Sequence, residues 1–132
     1  VIKKFSSFCW TIPDNDLATR GNAHVFCNRF PEYKSGGKKW SDKPTSNINS
    51  KLLSRLASKY NLTKDYLNDA IVYYAYACLN SELYMKAFEG KLHTVAGEWA
   101  SIPITANKNL FTSMVSIGKA MANLEKKDYK ST

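Results

Sequence analysis

At Asn47 the apolar residues of this chain change rhythm, and no other feature limits the fold as strongly. Ile48, Leu52, Leu56 and Tyr60 recur every four residues, while Lys51, Ser54, Arg55, Ser58 and Lys59 fall on other faces. That is the pattern of an amphipathic helix. Asn61 breaks it, and Thr63 is placed to cap a second helix, because its hydroxyl can accept from backbone donors in the first turn. Tyr66, Leu67, Ala70, Ile71, Tyr74, Ala75, Ala77 and Cys78 give this second helix a wide apolar surface, which predicts the most buried element. Ser81 caps a short third helix over 82–89, with Gly90 available for the left-handed C-terminal position. Residues 91–106 hold no clean period and read as a loop packed across the helices. A last helix over about 107–125 carries Leu110, Met114, Ile117, Met121 and Leu124 at alternating four and three spacings, which makes one seam.

Upstream of Asn47 the order is different. Pro13, Pro31, Pro44 and the Gly36-Gly37 pair interrupt any period. The best strand candidate is 23–30, where Val25 and Cys27 face one way and Phe26 and Asn28 the other. The expected fold class is therefore α+β and predominantly α, an irregular, short-strand N-terminal third followed by about four helices packed as one core. A single domain over 1–132 is expected, with a basic loop and strand region at 1–46, a helical scaffold at 47–126 and a polar tail at 127–132. Leu52, Leu56, Leu67, Ile71, Tyr74, Cys78, Ile117 and Met121 are the expected core.

With 132 residues, 44% apolar and 23% charged, the chain has the composition of a folded soluble domain. Its longest apolar run, 70–79, is about half of what a bilayer span needs, so no membrane partner is expected. Residue 1 is Val, and the opening VIKK lacks the apolar stretch of a signal peptide. A piece of a larger, cytoplasmic protein is the expectation. Cys9, Cys27 and Cys78 are an odd count at wide spacing, which fits neither a disulfide framework nor zinc knuckles and points to a reducing compartment. The formal charge of +8 is unevenly spread. Residues 1–60 hold eleven basic and four acidic side chains, and 61–132 hold eight and seven. The positive field belongs to the first half, and a polyanionic partner suits it.

Two basic features stand out. Lys34, Lys38, Lys39 and Lys43 surround the flexible Gly36-Gly37 pair and Trp40. Ammonium groups attract phosphate, Gly allows close backbone approach, and an indole can stack on a base or sugar. The plainer alternative is a solvated loop whose Trp40 folds back on the core. Lys51, Arg55 and Lys59 form a cationic stripe on the first helix that could run along a phosphate backbone, or be its ordinary polar side.

Catalytic chemistry is harder to assemble. His24 and Cys27 lack two further metal ligands, so no metal is expected. Cys27 with His24 or His93 is the only nominal nucleophile and base, and a buried apolar cysteine is the better reading of Cys27. Asp14 and Asp16 suit a turn around Pro13 better than a magnesium site. The tyrosines 66, 73, 74, 76 and 84 read as core. There is no P-loop spacing. No catalytic residue and no cofactor are assigned.

The order of segments resembles a known family. The run 67–84, LNDAIVYYAYACLNSELY, is similar to the IFxYIYAVLHSPEYR signature near the C-terminus of type ISP restriction and modification enzymes and related helicase-methyltransferase fusions. Ile12-Pro13-Asp14 resembles the family's KIPD element and Phe30-Pro31-Glu32-Tyr33 its FPLY element. Trp99 to Ile104 resembles FPRIPF, and 110–121 has the look of LFxxLxxLGxxL. Asn80 stands where His is usual, Met85 replaces an arginine, and Ala100-Ser101 replaces Pro-Arg, which marks a divergent member.

The resemblance implies a target-recognition (specificity) domain that grips double-stranded DNA for methyltransferase and motor domains earlier in a parent chain. It would be noncatalytic by itself. The DNA-facing residues expected on this reading are Lys34, Lys38, Lys39, Trp40, Lys43, Lys51, Arg55 and Lys59. The alternative is a helical docking domain that contacts protein and no DNA. A small hydrolase built on Cys27 lacks any group to orient its base.

Overall fold

Polar caps at the places where the apolar period breaks decide where each helix starts. The computed structural model describes residues 27–30, 44–89 and 101–130, with side chains through 126. Within these residues there are two short strands, β1 (Arg29–Phe30) and β2 (Thr45–Ser46), and four helices, α1 (Ser50–Tyr60), α2 (Lys64–Leu79), α3 (Glu82–Ala87) and α4 (Lys108–Lys130). The fold is α+β and mainly α, as the sequence predicts. No helix among the described residues is long and apolar enough to cross a membrane.

The described residues belong to two compact units that divide in sequence between Asp69 and Ala70, inside α2. In the first, β1 and β2 pair antiparallel, with Arg29 opposite Ser46 and Phe30 opposite Thr45. The expected strand over 23–30 is thus realised at its C-terminal end, and 23–26 lie outside the described residues. Its partner, Thr45–Ser46, was hidden by shortness. The strands are tied to α2 by Asn68, only 2% exposed. The Ser46 hydroxyl donates to Asn68 Oδ1, and Asn68 Nδ2 donates to the Asn28 carbonyl at 3.4 Å.

α1 begins three residues later than its apolar period suggests. The Asn49 side chain accepts from the backbone N–H of Lys51 (2.9 Å) and Leu52 (3.2 Å), so Ile48 precedes the helix. Asn61 ends it in the left-handed conformation at φ 52°, ψ 56°, donating its N–H to the Ala57 carbonyl. The buried face is Leu53, Leu56 and Tyr60, with Leu52 half-buried. Thr63 caps α2 as predicted, its Oγ1 accepting from Tyr66 N–H at 3.2 Å.

In the second unit Ser81 caps α3 as predicted, accepting from Tyr84 N–H at 3.3 Å. The helix ends earlier than expected, at Ala87. Phe88 closes it with its N–H on the Tyr84 carbonyl, and Gly90 lies outside the described residues. The Tyr74 and Tyr84 hydroxyls both donate to the Pro103 carbonyl, at 3.1 and 2.6 Å, and Tyr74 also accepts from Thr105 N–H. These bonds lay the 101–107 segment across α2 and α3. Asn107 caps α4 through Leu110 N–H, and α4 runs on to Lys130, past the end at 125 that its apolar residues suggest.

The packed face of α4 is not the predicted seam. Phe111 (0% exposed), Val115, Gly118 and Ala122 are buried, while Leu110, Ile117 and Leu124 are 52%, 51% and 60% exposed. Phe111 stacks on Tyr74 at a centroid distance of 5.1 Å. The Tyr76 hydroxyl donates to Glu125 on the same side of α4. Of the eight expected core residues, Leu56, Leu67, Tyr74 and Cys78 are buried, Leu52, Ile71 and Met121 are half-buried, and Ile117 is exposed.

Candidate nucleic-acid interface

α1 carries the candidate interface. Its eleven residues, SKLLSRLASKY, include three cations and no acid. Leu53, Leu56 and Tyr60 fix one side in the core, which leaves Ser50, Lys51, Ser54, Arg55, Ser58 and Lys59 exposed. None of Lys51, Arg55 and Lys59 is in an ion pair with a described residue. The Ser54 hydroxyl donates back to the Ser50 carbonyl at 2.9 Å, so it is folded against the helix. The stripe read from sequence is therefore present on a helix capped at both ends.

The other expected residues, Lys34, Lys38, Lys39, Trp40 and Lys43, lie outside the described residues. One cation the sequence did not single out is already occupied. Arg29 Nη2 meets Asp65 Oδ1 at 2.9 Å and its Nε meets Asp69 Oδ1 at 3.4 Å. The hydrogen bond that the guanidinium donates to Asp65, with Asp69 beside it, raises its pKa above the ordinary value. No sequence signal marks this pairing, because 36 and 40 residues separate the partners.

Nucleophile chemistry finds no support in the described residues. Cys27 is exposed, contrary to the expected burial. It sits at the end of the short sheet, where its backbone carbonyl accepts from Asn47 Nδ2 at 2.8 Å. Cys78 is buried, and burial pushes its thiol pKa up, keeping it protonated and unreactive. It borders a cavity of about 410 Å³ whose lining includes Tyr74, Tyr84, Pro103, Leu110 and Met114 and no ionised side chain. His24 and His93 lie outside the described residues. No group of three or more His, Cys, Asp or Glu among the described residues could hold a metal ion.

The model of one protein family, the type ISP C-terminal specificity domain, matches residues 3–130. The chain belongs to this family. The match spans nearly all of it, and it agrees with the order of motifs along the sequence. No curated protein and no solved structure matches the chain. Membership makes this a specificity domain of the restriction-modification type, the part concerned with target recognition.

Proposed function

We propose that the chain is a noncatalytic DNA-binding module. In this reading it holds a double-stranded target for the methyltransferase and motor domains of a cytoplasmic restriction-modification enzyme and carries no cofactor of its own. The observation that supports this best is the solvent face of α1, three cations on a rigid helix with no acid in it. Cations at four-residue spacing that pair with no acid among the described residues gain little from those residues. Against a phosphate backbone each releases condensed counterions, which favours binding and makes it salt-dependent.

Duplex affinity at about 50 and 200 mM salt tests the reading, since a protein that neutralises several phosphates loses affinity steeply over that range. Lys51→Ala with Lys59→Ala is expected to weaken all duplexes alike and to lower the salt slope by about one unit for each contact removed. Lys38→Ala with Lys39→Ala is expected to do the same for the Lys-rich loop. A salt-independent affinity would reject phosphate neutralisation by these cations, and no affinity at either salt concentration would reject DNA binding.

One observation favours the alternative, a docking domain. Leu110, Ile117 and Leu124 keep more than half of their surface in solvent on one stripe of α4. Exposed apolar stripes of this kind mark protein contacts in other proteins. Loss of duplex binding at all salt concentrations would leave that stripe as the functional surface.

A further inference from the structure

We propose that Arg55 reads a guanine edge in the major groove, and that Lys51 and Lys59 sit on the phosphates at the two sides of that groove. The inference rests on the DNA-binding reading and goes beyond it, because phosphate contacts alone carry no sequence information.

The three cations share one stripe but not one chemistry. Lysine is a compact point charge suited to phosphate. The guanidinium is a planar fork that matches guanine O6 and N7 with two hydrogen bonds, the commonest specific contact in the major groove. The single arginine of α1 stands midway between the two lysines. At a rise of about 1.5 Å per residue, Lys51 and Lys59 are separated by about 12 Å along the axis. The major groove is about 12 Å wide. With α1 set across the groove, the end lysines meet the two phosphate walls and Arg55 stands over the floor.

The surface around Arg55 allows that approach. Beside it on the face lie the small Ser54 and Ser58, and the Ser54 hydroxyl is turned onto Ser50. The long exposed side chains of α1 that flank Arg55 are Lys51 and Lys59, the two assigned to phosphate. The helix is also held rigidly enough to read, with Asn49 fixing its start, Asn61 its end and three buried side chains its back. Arg29, the other arginine among the described residues of this unit, is already paired with Asp65 and Asp69.

The test uses the full 132-residue chain and a pool of random-sequence duplex DNA, selected in parallel with the wild-type protein and with Arg55→Lys, Lys51→Ala and Lys59→Ala. Unchanged circular dichroism and urea midpoints establish that these exposed variants fold. The wild type is expected to enrich a motif with a fixed guanine. Arg55→Lys keeps the charge and is expected to lose preference for that guanine by about 10- to 100-fold. The two lysine variants are expected to keep the motif and bind every duplex more weakly. Replacing the fixed guanine by 7-deazaguanine, which lacks the N7 acceptor, is expected to weaken the wild type and leave Arg55→Lys unchanged.

A wild-type pool with no fixed guanine overturns the proposal, and so does an Arg55→Lys pool that keeps it, while salt-dependent binding in either case leaves the DNA-binding reading standing. Absence of any salt-dependent duplex binding removes both.

Discussion

Gly118 on α4 lies against the backbone carbonyl of Tyr73 on α2, so closely that an added Cβ would come within 2.7 Å of the carbonyl carbon. The atom it would meet is backbone, which cannot rotate away. In an exposed helix Gly→Ala gains about 1 kcal/mol from propensity. At this position overpacking, at about 1–3 kcal/mol, opposes the gain. Gly118→Ala is expected to lower the urea midpoint, and Gly118→Val to lower it further. A stabilised Gly118→Ala would show that α4 does not sit this close to α2.

The same contact explains which stripe of α4 is buried, and it leads to a second expectation. Phe111→Ala removes a fully buried ring stacked on Tyr74 and is expected to cost about 3–5 kcal/mol. Ile117→Ala, at a half-exposed position, is expected to change stability by about 0.5 kcal/mol or less. Urea unfolding of the two variants side by side checks this. Equal losses would restore the seam that the apolar residues alone predict.

Two stripes compete on α4, and periodicity cannot choose between them. Leu110, Met114, Ile117, Met121 and Leu124 have the more apolar side chains, yet Phe111, Val115, Gly118 and Ala122 have the same alternating four and three spacing. The second set wins because a glycine lets α4 approach a carbonyl, a benefit that depends on a partner 45 residues away and leaves no trace in hydrophobicity. Caps are local, and several were legible, although Asn49 at the start of α1 and Phe88 at the end of α3 were not. Thr63 and Ser81 do what their side-chain chemistry predicts, and Asn61 ends α1 in the left-handed region that asparagine tolerates. The α1 stripe was legible for the same reason, since one helix orders Lys51, Arg55 and Lys59. The occupation of Arg29 by Asp65 and Asp69 was not, because it depends on where a strand lands beside α2.

Tyr74 and Tyr84 hold the same carbonyl, that of Pro103, but are not equivalent. Tyr74→Phe removes a donor to Pro103 and the acceptor for Thr105 N–H, whereas Tyr84→Phe leaves Pro103 still bonded to Tyr74. Each lost bond is worth about 0.5–1.5 kcal/mol. Tyr74→Phe is therefore expected to be the more destabilising of the pair. The double variant is expected to be worse than the sum, since Pro103 then loses both donors. A double-mutant cycle in urea measures the coupling, and strict additivity would show that the two hydroxyls do not share the carbonyl.

Asn68 is the buried polar residue that joins both strands to α2. Asn68→Leu leaves the Ser46 hydroxyl only the more distant Ile48 carbonyl at 3.5 Å, removes the amide donor to the Asn28 carbonyl, and is expected to cost about 1–3 kcal/mol. Asn68→Asp places a carboxylate at a site 2% exposed, next to the Asp69 carboxylate, and removes the amide donor to the Asn28 carbonyl. It is expected to cost more than Asn68→Leu at pH 7 and to recover part of the loss at pH 4, where protonation discharges the new group. An aspartate variant as stable as wild type at pH 7 would refute the role of Asn68 as a hydrogen-bond donor.

Rising alkaline pH is expected to lower the stability of the chain in two stages. Burial raises the pKa of Cys78 above its ordinary 9.0, and of Tyr60 and Tyr84 above their ordinary 10.0. In each case the unfolded chain releases its proton at a lower pH than the folded one does. Unfolding then becomes easier as pH rises, because the unfolded state binds fewer protons. The stability these groups contribute is complete below pH 9.0, begins to fall as pH passes that value through Cys78, and falls faster beyond 10.0 as the two tyrosines join. Urea midpoints measured from pH 8 to 11 follow the curve. Cys78→Ala shifts every midpoint down by leaving a small void, yet it is expected to flatten the slope between pH 9 and 10 while keeping the steeper fall above 10. A variant curve parallel to wild type throughout would mean that the Cys78 thiol titrates alike in the folded and unfolded chain, and that its burial among Tyr74 and Tyr84 does not hold its proton.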